Sequence, residues 1–130
     1  MQYRPLLYAQ LMVVAIIAAL HLSGIAYDLY WRFLWLDVVT HTLGGVWVGL
    51  LFFHMRSLFG YVPSLMWSIA GAIAIGVAWE VFEVVAGIPR EANWAFDTSI
   101  DLFMDTLGGV IGAFLARAIE KRTTLPEAMV

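Results

Sequence analysis

The sequence predicts an all-α membrane protein: four transmembrane helices in one bundle, with a polar site buried in its outer half. Three observations lead there. Of 130 residues, 62% are hydrophobic and 13% charged, with a mean hydropathy of +0.85. Soluble domains carry roughly 25% charged residues, so this chain has too few polar groups to cover a water-facing surface. Its apolar residues fall into four long runs, and two of those runs share a repeated motif of ionisable residues.

A spanning helix needs ~20 apolar residues to cross a hydrocarbon core ~30 Å thick. Four spans therefore use the chain, and no separate soluble domain is expected. The absence of cysteine excludes disulfides and thiolate metal sites. A net charge of −3 provides no basic surface, and no nucleic-acid partner is expected.

The first span is predicted at 6–27, where no formal charge occurs between Pro5 and Tyr27. A cleavable leader is the competing reading, but the run is longer than a leader's apolar core and no small-x-small site ends it. Tyr27, Tyr30, Trp31 and Trp35 follow as an aromatic belt of the kind found at membrane interfaces. The second span, 37–55, is interrupted only by His41 and His54, and a turn from Arg56 to Pro63 ends it. The third, 64–87, is uncharged until Glu80 and Glu83 and stops at Gly87-Ile88-Pro89, where proline withholds a backbone donor. Arg90 to Phe96 forms a short connection anchored by Trp94. The fourth, 97–118, places Asp97, Asp101 and Asp105 at i, i+4 and i+8 on one helix face. A polar tail begins at Glu120.

Lysine and arginine counts set the orientation. Arg4, Arg56, Arg117, Lys121 and Arg122 fall on one side, against Arg32 and Arg90 on the other. Both termini are therefore expected in the cytoplasm. Asp37, His41, Glu80, Glu83, Asp97, Asp101 and Asp105 then all lie in the outer half, joined by His21.

The sequence also repeats itself. Asp37-Val-Val-Thr-His41-Thr-Leu-Gly-Gly-Val corresponds to Asp101-Leu-Phe-Met-Asp105-Thr-Leu-Gly-Gly-Val. Two helical hairpins in parallel repeat are expected, about an axis along the membrane normal. Gly44, Gly45 and Gly49, answered by Gly108, Gly109 and Gly112, would let the helices approach closely.

Several carboxylates sharing a low-dielectric region cannot all stay ionised without protons, water or a cation. Carboxylates with an imidazole suit a hard or borderline divalent metal ion. His41, Glu80, Asp101 and Asp105 are the expected ligands, with Glu83 or Asp37 as general base. Structural readings stand beside these. Asp37 and Asp97 are also placed to be helix N-caps. His21 and His41 also fit buried histidines bonded to a carbonyl or hydroxyl. His54 is expected to be solvated, and Trp47 and Trp79 to pack inside the bundle or wall a ligand.

The pattern D-x-x-x-H-x-x-G-G at Asp37–Gly45, W-E-x-x-E at Trp79–Glu83 and D-x-x-x-D-T-L-G-G-x-x-G at Asp101–Gly112 resembles small bacterial inner-membrane proteins of the YjdF type. More remotely it is similar to VanZ-like proteins, which usually have Asn where Asp105 stands. The resemblance covers roughly Asp37 to Ala118. It implies a topology and a motif rather than a reaction.

Three functions fit. The first is a metal-dependent hydrolase acting within the membrane on a lipid or lipid-linked substrate. The second is a small cation- or proton-coupled transporter or channel. The third is an accessory subunit whose acids pair with a partner's cations. So small a bundle is expected to form a homo-oligomer or join a membrane partner.

Overall fold

Backbone in hydrocarbon must satisfy its own hydrogen bonds, and each apolar run does so by closing into a helix. A computed structural model describes residues 4–62, 64–88 and 92–124. It contains α1 (Arg4–Ala26), α2 (Leu29–Arg32), α3 (Trp35–Phe59), α4 (Leu65–Ala86) and α5 (Trp94–Thr124). No strand occurs among the described residues. Four of these helices are long and apolar enough to cross a membrane. Pro63, Pro89, Arg90 and the tail beyond Thr124 lie outside the described residues.

Local chemistry sets the helix ends. Ser64 caps α4, its hydroxyl accepting from the Trp67 backbone N–H at 3.3 Å. Gly60 (φ 69°) and Gly87 (φ 67°) close α3 and α4 in the left-handed conformation that a Cβ would strain. Tyr30 and Trp31 of the aromatic belt lie in the four-residue α2, entered through Asp28 at φ 53°. Helices α3 and α5 begin before the predicted spans, at Trp35 and Trp94. Asp37 and Asp97 therefore sit inside the first helical turn and are not N-caps. There they still meet the positive end of the helix dipole.

Helices α3 and α5 form a central spine without side chains at its contact points. A Cβ on Gly45 would overlap the Asp105 carbonyl oxygen, and one on Gly108 would overlap that of Thr42. Gly49 and Gly112 are equally tight against Gly109 and Val46. Helix α1 packs on α3, and α4 packs on α5 and α3. No Cα of α1 comes within 8 Å of one in α4, so the two flanking helices stand apart.

One half of the bundle is filled by Leu6, Val13, Val46, Leu50, Phe53, Ala113 and Ala116. Polar contacts gather near this end. Arg56 pairs with Glu120 at 3.5 Å, and the Arg117 guanidinium lies 5.7 Å from the Phe53 ring centre. The Tyr61 hydroxyl donates to the Phe52 carbonyl. His54 is half-buried here rather than solvated, because the Gln10 side-chain amide donates to its Nδ1 at 2.6 Å. Gln10 is itself buried, and it is the one amide in a 23-residue apolar helix. The opposite half of the bundle contains the site.

Candidate metal centre

Aspartate has a short side chain, and ordinary helix spacing of ~8–10 Å would keep such groups on neighbouring helices apart. The glycine contacts remove that limit. With α3 and α5 touching backbone to backbone, the i, i+4 pair Asp37 and His41 on α3 faces the i, i+4 pair Asp101 and Asp105 on α5. Both oxygens of Asp105 lie 3.3 Å from His41 Nδ1 across the spine. Asp105 is also pressed against α4, where a Cβ on Gly76 would overlap its Oδ2.

A carboxylate only accepts, so His41 donates through Nδ1 and its Nε2 lone pair is left for another ligand. Nε2 lies 3.7 Å from Asp37 Oδ1. Asp37, His41 and Asp101 each offer one ligand atom, and these atoms all lie within 4.8 Å of one another. His41 is 7% exposed and Asp101 3%, whereas Asp37 is half-buried. Two carboxylates and an imidazole form a donor set for a hard or borderline divalent ion. A further carboxylate behind the imidazole, as Asp105 is here, is the usual way a ligating histidine is fixed in tautomer and orientation.

The structure distributes the expected site residues as follows. His41 and Asp101 belong to the group of three, and Asp37 completes it. Asp105 stands behind His41. Glu80 is buried and accepts from the Thr98 hydroxyl at 2.6 Å, tying α4 to α5. Glu83 is half-buried and accepts from Trp79 Nε1 at 2.9 Å. His21 shares a 2.7 Å hydrogen bond with the Tyr30 hydroxyl, which matches the hydroxyl-bonded reading. Burial holds the Tyr30 phenol above its ordinary range, against a hydrogen bond with Thr40 that lowers it.

All of these groups but Asp101 border a cleft of about 1220 Å³. Ligand pockets usually run to ~300–1,000 Å³, so this one would take a large molecule. Asp37, His41, Glu80 and Glu83 line its polar end, and Val14, Ile17, Val48 and Ile75 line its apolar end. Trp47 and Trp79 both contribute to the wall. Asp28 also borders the cleft, though it sits between predicted elements where helical spacing gives it no face. Thr98 was detectable in principle, as a hydroxyl within a turn of Asp101. Gln10 was too, as a lone amide in hydrocarbon.

Fold and site together define a four-span membrane bundle with a buried Asp/His/Asp group. The chain belongs to the family described as predicted membrane protein (DUF2238), which it matches over residues 2–122. YjdF-type proteins form such a family, whereas the VanZ-like resemblance gains no support. No curated protein and no solved structure matches the chain.

Proposed function

We propose that this protein is a metal-dependent hydrolase of the bacterial inner membrane, acting near the outer face on a lipid or lipid-linked substrate. Both termini are cytoplasmic in this reading, and Asp37, His41 and Asp101 hold a divalent metal ion. One observation carries it: three ligand-type side chains from two helices converge, and two of them, Asp37 and His41, line the polar end of a cleft whose other end is apolar. A bound ion would supply Lewis acidity and lower the pKa of a coordinated water.

The chain's own groups have separate tasks. Asp105 holds His41 with Nε2 turned toward Asp37. Glu83 lines the cleft outside the group of three and is the general base, held in place by Trp79 Nε1. The Glu80–Thr98 bond keeps α4 on the spine, which fixes where Glu83 stands. Ionisable groups at membrane depth are costly, and a functional site is the default account of them. A bundle this small is further proposed to work as a homo-oligomer or beside a membrane partner.

Elemental analysis of detergent-purified protein is the test. About one divalent ion per chain is expected in the wild type and in Glu83→Gln, and none in His41→Ala or Asp101→Ala. Release of water-soluble head groups from a bacterial lipid extract should occur with wild type and cease in Glu83→Gln. Wild-type protein that takes up no zinc, manganese or magnesium on dialysis would sink the proposal.

A further inference from the structure

The cleft has a shape and a charge pattern that the metal reading does not use. Its floor is α3, and its walls are α1 and α4, which come no closer than 8 Å between Cα atoms. Both walls are spanning-length apolar helices, so a gap between them would open sideways to lipid. The His21 and Trp79 rings meet edge to face across it, 6.0 Å between centres, at the level of the polar end.

Depth points to the occupant. From Asp37 to Val48, both lining residues of α3, the floor runs ~16 Å along the helix at ~1.5 Å per residue. One leaflet of a ~30 Å hydrocarbon core has that depth. The cleft is polar at the membrane surface and apolar toward the midplane, as a single lipid is.

Charge narrows the class. No lysine or arginine lines the cleft among the described residues. Among the described residues, a purely anionic head group would meet no lysine or arginine lining the cleft. Asp28 and Asp97, outside the group of three, border the polar end together with Trp31 and Trp35. Carboxylates and indole faces favour a cationic head group. We infer that the cleft seats an ammonium-headed phospholipid of the bilayer, admitted sideways between α1 and α4, with its amine at Asp28 and Asp97. This deepens the lipid-substrate reading and rests on it, but requires no metal.

Native mass spectrometry of the full chain in non-ionic detergent tests it, with EDTA present so that a failed metal site cannot decide the outcome. The probes are phosphatidylethanolamine, the same lipid with its amine acetylated, and phosphatidylglycerol. Phosphatidylethanolamine should bind about tenfold more tightly than either other lipid, the scale of a partly desolvated cation–aromatic and ion-pair contact. The double variant Asp28→Asn, Asp97→Asn should lose that preference while still retaining lipid. Equal retention of the acetylated and free amines by wild type overturns the inference, and so does an undiminished preference in the double variant. The acetylation comparison needs no variant and stands even if the double variant fails to fold. Stoichiometric metal alongside absent lipid preference would sink the lipid seat and leave the metal centre standing.

Discussion

Asp105 shows what spacing conveys and what it leaves open. Its place in a repeated motif marks it as a site residue, and i, i+4 spacing puts it on the face of Asp101. Spacing does not say which of the two meets the imidazole and which meets Asp37. The axial register of α3 against α5 decides that, through glycine contacts between residues far apart in the chain, such as Gly45 with Asp105 and Gly108 with Thr42. The observed register puts Asp105 behind His41 Nδ1 and Asp101 within 4.8 Å of both Asp37 and the imidazole. Asp105→Asn keeps the volume but removes the charge that steadies the imidazole. Metal affinity, read by competition with a chelating dye, should fall about 10–100-fold, the range for removing a carboxylate behind a ligating histidine. An unchanged affinity would strip Asp105 of that role.

The four apolar helices were legible from composition and run length, because hydrocarbon allows the backbone few alternatives. Their ends were not. Asp37 and Asp97 look like starting signals, yet the aromatic residues before them extend both helices outward, and the acids fall inside the first turn. The glycines were legible as contact points, and the spine depends on them. Gly45→Ala drives a methyl group into the Asp105 carbonyl, where neither backbone can yield. Overpacking of this kind costs ~1–3 kcal/mol, so the melting temperature in detergent should drop clearly. Gly60→Ala is the comparison, since nothing lies within 4 Å of the added methyl group and only the left-handed backbone objects. Its cost should stay near ~1 kcal/mol. A larger loss at Gly60 than at Gly45 would show that the spine is not where stability resides.

At the scale of the molecule, orientation decides which compartment the site serves. The contacts Gln10–His54 and Arg56–Glu120 place the start of α1 and the ends of α3 and α5 together. The proposal puts that end in the cytoplasm. The chain has no native cysteine, so single replacements report cleanly. A membrane-impermeant maleimide added to intact spheroplasts should label Asn93→Cys and spare Thr123→Cys. The reverse pattern would turn the site inward. The cluster from Leu6 to Ala116 has a bearing on this topology. It plugs the half of the bundle beyond the acids with seven buried apolar residues. A charge in that medium has no hydration and no counter-ion among those residues. The acidic chamber is thus a cul-de-sac. Under the proposed function, an ion bound there would leave by the route it came, and conduction would demand that α1, α3 and α5 part along the seam this cluster fills. As folded, the bundle would offer a cation held at the proposed site no second exit.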